Sequence, residues 1–406
     1  MALSDQHEIV ASEDIVDDSG HKLWAQGQKV SRSLQEKLQR HKLARPLESA
    51  LTVEGGIVSD EVVTACLELV ESNSMLQRIS GSVAARSLLT GFRNTPLPGP
   101  FKLLLTSARE GKLASYRHGL HCVAITAGIA ARLNVGDDAV QQLLLSSLIH
   151  DIGELYIDPG YLHSNTRLTP AEWKQVAVHP RIGQALVREL TSLPAKIGDA
   201  VAEHHERLDG SGYPAQKANG EIGKFGRIIG VADTCAAIVM HGADESTYRL
   251  RVATRIVPEE FERTVVDAVI KPLLSSPLTP PSMRCEDCLD RIRLIVERLD
   301  QSMVAAASLA AHKESRIAAD IGGYVVAALK VLSKALTATG AIEALSVEEV
   351  KADEELLAEI ALVAREVDWR LRNLARNIHL RFHLNHDGKD LALALPLVDT
   401  LDSSAR

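Results

Sequence analysis

One stretch concentrates chemistry: His204-His205-Glu206-Arg207-Leu208-Asp209-Gly210-Ser211-Gly212-Tyr213-Pro214. Two adjacent histidines close an apolar segment, Ile197 to Glu203, and Gly and Pro then specify a turn. The bland alternative is a surface turn with solvated imidazoles. Other residues argue against it. His150-Asp151 ends the apolar run Leu143 to Ile149. His118 lies on the segment before, and His179 stands just ahead of Pro180. Asp233 is alone in Ile228-Ile-Gly-Val-Ala-Asp-Thr-Cys-Ala-Ala. A carboxylate amid that much hydrocarbon neutralises unless a strong partner holds its charge. Neutral imidazole is the commonest metal ligand. His118, His150, Asp151, His179, His204, His205 and Asp233 are too many donors for one tetrahedral zinc. They suit two ions sharing Asp151, about 3.5–4 Å apart, a pair that clamps a phosphoryl group and makes water a nucleophile. The implied chemistry is in-line hydrolysis of a phosphoester. Ligand type favours iron or manganese, with zinc also compatible.

Helices must position these donors. From Phe101 to Val239 the apolar spacing is three and four, as an amphipathic helix requires. It predicts helices over 103–115, 118–133, 137–149, 180–190, 193–203 and 225–240. Thr169-Pro170-Ala171-Glu172 opens another, with a capping residue, proline at the first position and a capping box. Upstream, Asp17-Asp18-Ser19-Gly20 between short apolar runs reads as a hairpin turn, followed by a helix over 31–43. Residues 59–92 read as two short helices, the first over 60–72. The breakers Asn94-Thr-Pro-Leu-Pro-Gly-Pro100 and Ser275-Ser-Pro-Leu-Thr-Pro-Pro281 suggest boundaries. The expected units are residues 1–92, a small α+β appendage, residues 101–270, the metal-bearing domain, and residues 282–406, a helical region ending in a polar tail. The fold class is mainly α. The long Ala- and Leu-rich C-terminal helices suit pairing across two copies as well as burial within one.

Composition bounds partners. The formal charge of −8 gives no bias toward nucleic acid. Five cysteines in 406 residues do not form a disulfide framework, which fits a reducing cytoplasm. No run of 18 apolar residues is present, so no membrane span is expected. Cys285-Glu-Asp-Cys288 is a lone pair of thiols with no second pair to complete a metal site. Cys66, Cys122 and Cys235 read as core. No phosphate-cradling glycine loop and no Gly-x-Ser-x-Gly elbow is present.

His118, His150-Asp151 and Asp233 resemble the HD-superfamily metal phosphohydrolases. His179 and His204-His205-Glu206 through Asp209-Gly210, Gly212-Tyr213-Pro214 resemble its HD-GYP subfamily, over roughly residues 101–250. The resemblance implies a helical HD-type bundle that hydrolyses the bacterial second messenger cyclic di-GMP with two divalent transition metals. It implies His118, His150, Asp151, His179, His204, His205 and Asp233 as ligands, with the nucleophile generated beside His150 and Asp151. His121 is a rival for His118, and register favours His118. Gly210, Gly212, Tyr213 and Pro214 would border the phosphodiester and offer a docking surface to signalling proteins. Arg227 or Arg249 would assist.

The departures from that pattern are local. Glu154 stands where the subfamily has a phosphate-binding lysine. Ser164-Asn165-Thr166 replaces Lys-Pro-Gly, Ala236 stands where an acid is usual, and Ser246-Thr247-Tyr248-Arg249 stands where Arg-Pro-Tyr-Arg is usual. Ala114 replaces the glutamate of three-metal members, so two metals are expected. A metal shell that is complete beside an eroded phosphate shell leaves two rival readings. One is a binding module in which the metals are structural. The other is a phosphohydrolase for another nucleotide.

Overall fold

The computed structural model describes residues 8–30, 41–162, 168–240, 246–274, 285–346, 353–384 and 390–403. The replaced Ser164–Thr166 segment, the linker over 275–281 and most of the helix expected over 31–43 lie outside these residues.

Two small antiparallel pairs open the chain. β1 (Ile9–Ala11) pairs with β4 (Leu51–Val53), and β2 (Ile15–Val16) pairs with β3 (Lys22–Trp24) across the Asp17–Gly20 turn. The Asp17 carboxylate accepts from the backbone amides of Ser19 and His21, which closes that turn. Ala11, Ile15, Leu23 and Ala50 form a minor core here.

Helices make up the rest. α1 (Ser59–Ser72), α2 (Ser74–Ser80) and α3 (Val83–Gly91) replace the two helices expected over 59–92. Asn73 and Ser82 are the cause: each caps the next helix with its side chain and so divides the stretch. α4 (Gly99–Gly111) is followed by α5 (Leu113–Arg132) and α6 (Asp137–Ile149). α4 therefore ends before Ser115, and α5 starts a turn ahead of His118. α7 (Pro170–Ala177) begins with the complete Thr169–Glu172 capping box. α8 (His179–Leu190), α9 (Ala195–Glu203), α10 (Lys224–Met240), α11 (Ser246–Arg255) and α12 (Arg263–Leu273) follow.

One core runs from Ile57 to Leu273 and includes Val62, Leu76, Leu89 and Phe92 beside Ile125, Leu144 and Val231. The expected boundary between residues 92 and 101 thus falls inside a single hydrophobic core. α1–α3 pack on α5, the helix that carries His118. Proline and glycine mark a turn there, and burial decides the unit.

A second core unites α13 (Cys285–Ala310), α14 (Arg316–Ala338), α15 (Ala341–Ser346), α16 (Glu354–Leu384) and α17 (Leu391–Asp402). The tail expected to be polar is in part the helix α17, which buries Ala394, Leu397, Val398 and Leu401 at helical spacing. Among the described residues α14 is the one helix long and apolar enough to cross a membrane by length and composition. Its Ile, Val, Leu and Ala content keeps hydropathy high although Asp320, Lys330 and Lys334 interrupt the apolar run, and its Ile321, Val325, Leu329 and Leu332 stripe is buried in the bundle.

Candidate metal centre

Helix ends converge on one buried cluster. His118 projects from the second turn of α5. His150 and Asp151 follow the last residue of α6. His179 begins α8, His204 and His205 follow α9, and Asp233 lies in the middle of α10. The structure brings all seven together, in two groups. His118, Cys122, His150 and Asp233 form the first, and Asp151, His179, His204 and His205 form the second. Within each group, the donor atoms lie within 4.8 Å of one another.

Asp151 stands between the groups with one oxygen toward each. Its Oδ2 is 3.1 Å from His150 Nε2 and 3.8 Å from His118 Nε2. Its Oδ1 is 3.3 Å from both His179 Nε2 and His204 Nε2. Asp233 Oδ1 is 2.9 Å from His118 Nε2, and its Oδ2 is 3.5 Å from His205 Nδ1. Among the described residues His121 does not join either group. It is buried, with Nδ1 hydrogen-bonded to the Arg117 carbonyl at 2.8 Å.

The imidazoles are aimed before any ion arrives. Nδ1 of His150 meets the Ser147 carbonyl at 2.8 Å. Nδ1 of His179 meets the Val176 carbonyl at 2.8 Å, and Nδ1 of His204 meets the Val201 carbonyl at 2.7 Å. Each carbonyl accepts from Nδ1–H, so Nε2 keeps a free lone pair toward the cluster, as a ligand imidazole requires. Asp151 Oδ1 is buried with no hydrogen-bond partner. A carboxylate oxygen left so costs free energy unless a cation meets it. The donor set and this orphaned oxygen fit two divalent ions.

Charge in the metal-free cluster follows from these contacts. Burial pushes Asp151 up, but His150, His179 and His204 more than reverse it and hold it well below the ordinary carboxylate range. Asp233 is also held low, against burial, by its bond to His118 and the charge of His205. Burial opposes protonation of His118, His150 and His179, yet the facing acidic groups raise all three. Burial and the neighbouring imidazoles lower His204 and His205. At the histidines whose pKa is raised, a proton competes the more strongly with an incoming cation. Metal loading is therefore expected to release protons, and apparent affinity is expected to fall as pH falls. Calorimetry in buffers of different ionisation enthalpy reads this directly, and an affinity independent of pH would contradict it.

The turn after α9 is built around Glu206. Its Oε1 accepts from the Ala215 amide at 2.6 Å and its Oε2 from the Lys217 amide at 2.9 Å. The Tyr213 amide donates to the His205 carbonyl at 3.1 Å. Gly212 is required by contact, since a Cβ there would lie 2.4 Å from the His205 carbonyl oxygen. Gly153 is required likewise, its Cβ position being 2.1 Å from the His179 carbonyl oxygen. The Tyr213 ring stacks on His205 at 4.6 Å and meets Trp173 edge-on at 5.3 Å. Tyr213 and Gly212 therefore lie against His205 of the second group.

The two arginines proposed from sequence are committed elsewhere. Arg227 donates to the Ile222 and Asn219 carbonyls and pairs with Glu262 at 3.2 Å. Arg249 lies 3.6 Å from Glu366 on α16. Each guanidinium thus has a carboxylate beside it. Glu154 does lie by the centre. Its carboxylate accepts from Ser115 Oγ at 2.9 Å, and burial and the charge of Asp151 raise its pKa.

The C-terminal bundle was not legible as part of this site. From α16, Asn377 donates to the Ser211 carbonyl at 2.6 Å and Arg381 to the Gly210 carbonyl at 2.7 Å. Arg376 lies over the Trp173 ring at 4.7 Å. The loop face expected to receive signalling partners thus meets the same chain. Replacing Asn377 and Arg381 together by alanine is expected to cost about 1–3 kcal/mol per bond locally. Hydrogen exchange at the amides of residues 210–217 should quicken, and unchanged exchange there would show that the contacts do not order the turn.

Residues 103–269 match the family model described as HD domain. The chain is 29% identical over 160 residues to a cyclic di-GMP phosphodiesterase of Pseudomonas aeruginosa, covering 39% of each. It is 28% identical over 177 residues to a cyclic di-GMP phosphodiesterase response regulator of Xanthomonas campestris, covering 41% of this chain and 47% of that one. It is 25% identical over 234 residues to a 3'3'-cGAMP-specific phosphodiesterase of Vibrio cholerae, covering 55% of this chain and 50% of that one. The chain spans half or less of the length of each of these relatives.

Proposed function

We infer that residues 103–269, an HD domain of the HD-GYP type, hydrolyse a phosphodiester bond of a cyclic dinucleotide, cyclic di-GMP before 3'3'-cGAMP. The observation that carries this reading is Asp151, with one oxygen facing each of two donor groups. Two divalent ions held there would supply Lewis acidity at the phosphoryl oxygens and a nucleophilic hydroxide at neutral pH. The residues do the positioning. His118, His150 and Asp233 hold one side, and His179, His204 and His205 hold the other. Asp151 joins the sides and fixes their separation. Tyr213 on His205 offers an aromatic face beside the second group, suited to a nucleobase or ribose. The named relatives are cyclic di-GMP or 3'3'-cGAMP phosphodiesterases, which supports the substrate class. The test is turnover of both dinucleotides by the full chain loaded with iron, manganese or zinc, with linear products resolved by chromatography. Protein that carries both metals and cleaves neither dinucleotide would overturn the reading.

Glu154 favours a second reading, a centre that binds a nucleotide and turns it over slowly or not at all. A carboxylate beside a dianionic substrate repels it where a lysine would attract it. Glu154→Gln is expected to lower KM for cyclic di-GMP by roughly fivefold, about 1 kcal/mol after solvent screening, with a smaller change in kcat. Steady-state kinetics separates the two, and an unchanged KM would remove Glu154 from the substrate pocket.

A further inference from the structure

Cys122 lies one helical turn beyond His118 on α5 and is fully buried. A buried cysteine is ordinarily a small apolar filler. Cys66 has that character on a neighbouring helix, its Sγ donating to the Leu120 carbonyl at 3.5 Å. Cys122 is placed differently. Its Sγ is 3.5 Å from His118 Nε2 and 3.9 Å from His150 Nε2. With Asp233 Oδ1 these atoms make up the first donor group, and the thiol occupies one of its four corners.

The spacing fits a shared ion. A thiol proton satisfies one imidazole nitrogen, and here the sulfur faces two. An ion about 2.0–2.1 Å from nitrogen and about 2.3 Å from sulfur sets the N···S separation at about 3.6 Å for a tetrahedral angle. The two observed separations straddle that value. The His150 nitrogen is also oriented by its Nδ1 bond to the Ser147 carbonyl, so its lone pair and the sulfur point at a common space.

We propose that Cys122 is a thiolate ligand of the ion held by His118, His150 and Asp233. The proposal rests on the reading that the cluster holds metal. On binding, the S–H bond breaks, the proton leaves to solvent, and the sulfur electron pair forms the metal–sulfur bond. The two halves of the centre then differ in chemistry. The Cys122 half is a sulfur, nitrogen and oxygen site, which favours zinc or iron(II) over manganese. The Asp151, His179, His204 and His205 half contains no sulfur and tolerates a harder ion. The expectation of iron or manganese, drawn from nitrogen and oxygen donors alone, shifts toward zinc or iron in the first position.

The full chain loaded with zinc, and separately with cobalt(II), tests this by X-ray absorption at the metal edge, with metal content measured on the same sample. One sulfur scatterer at about 2.3 Å for every two ions is expected. It should vanish in Cys122→Ala and in Cys122→Val and persist in Cys235→Ala. The cobalt form should show a near-ultraviolet sulfur-to-metal charge-transfer band with the same pattern of loss. Cobalt affinity in the first position should fall on the order of 10–100-fold in both Cys122 variants. Two bound ions with only nitrogen and oxygen scatterers would overturn the role of Cys122 and leave the metal centre intact. Absence of bound metal would overturn both. The unsubstituted protein alone decides the point if a variant fails to fold.

Discussion

Asp151→Asn is expected to remove turnover by roughly 10³-fold or more and to lower metal content from two ions per chain toward one or none. Asparagine preserves the shape of the side chain, so the expected loss isolates charge and the second anionic oxygen. Oδ1 faces His179 and His204, and Oδ2 faces His150 and His118. Asp233 also reaches both groups, through Oδ1 on His118 and Oδ2 on His205, but Asp151 faces two imidazoles of each group. Charge stabilisation by a two-metal centre is worth several kcal/mol, and ~4 kcal/mol corresponds to ~10³-fold in rate. Elemental analysis and initial rates on one preparation check both parts. Circular dichroism should show the helices retained, because Asp151 follows α6 and does not support its core. A variant that keeps two ions and more than a tenth of the rate would show that Asp151 is not the shared ligand.

Arg370→Ala carries the second large effect, on stability. Arg370 is on α16 and is buried, with Glu260 at 2.6 Å and Glu366 at 3.2 Å. It also donates to the Ala253 carbonyl at 2.8 Å. Glu260 in turn lies 3.7 Å from Arg207, and Arg207 donates to the carbonyls of His204 and Glu206. The chain of contacts runs from the C-terminal bundle to the backbone that presents the histidines. Deleting Arg370 leaves two buried carboxylates without their main cation. Breaking a buried pair from one side costs about 3–5 kcal/mol. Chemical or thermal unfolding should register that loss. Metal affinity should fall with it, because the turn after α9 loses its support. A stability change below about 1 kcal/mol would mean that water already relieves these carboxylates.

The sequence made the metal cluster legible for a physical reason. His150-Asp151, His204-His205 and a lone Asp233 in hydrocarbon are costly unless paired, and that cost is visible in one dimension. The capping box at Thr169 and the helix over 137–149 were legible because their signals are local. Cys122 was missed because a cysteine in an apolar helix has a cheap explanation as core. Its only signal was the four-residue interval from His118, which places the thiol on the same helical face. The carboxylates beside Arg227 and Arg249, Glu262 and Glu366, were not legible because charge alone does not reveal which acid an arginine meets. The union of residues 57–97 with the metal-bearing helices, and the contact of α16 with the Gly210–Pro214 turn, depend on contacts between distant parts of the chain. Proline-rich breakers say where a helix stops and nothing about which core receives the next one.

Metal-dependent hydrolysis of cyclic di-GMP by the full chain, with bound metal counted in the same sample, is the decisive measurement. The expected result is two ions per chain, linear dinucleotide or GMP as product, and loss of both ions and product after chelation. Two tightly bound ions beside intact cyclic di-GMP and intact 3'3'-cGAMP would contradict the account.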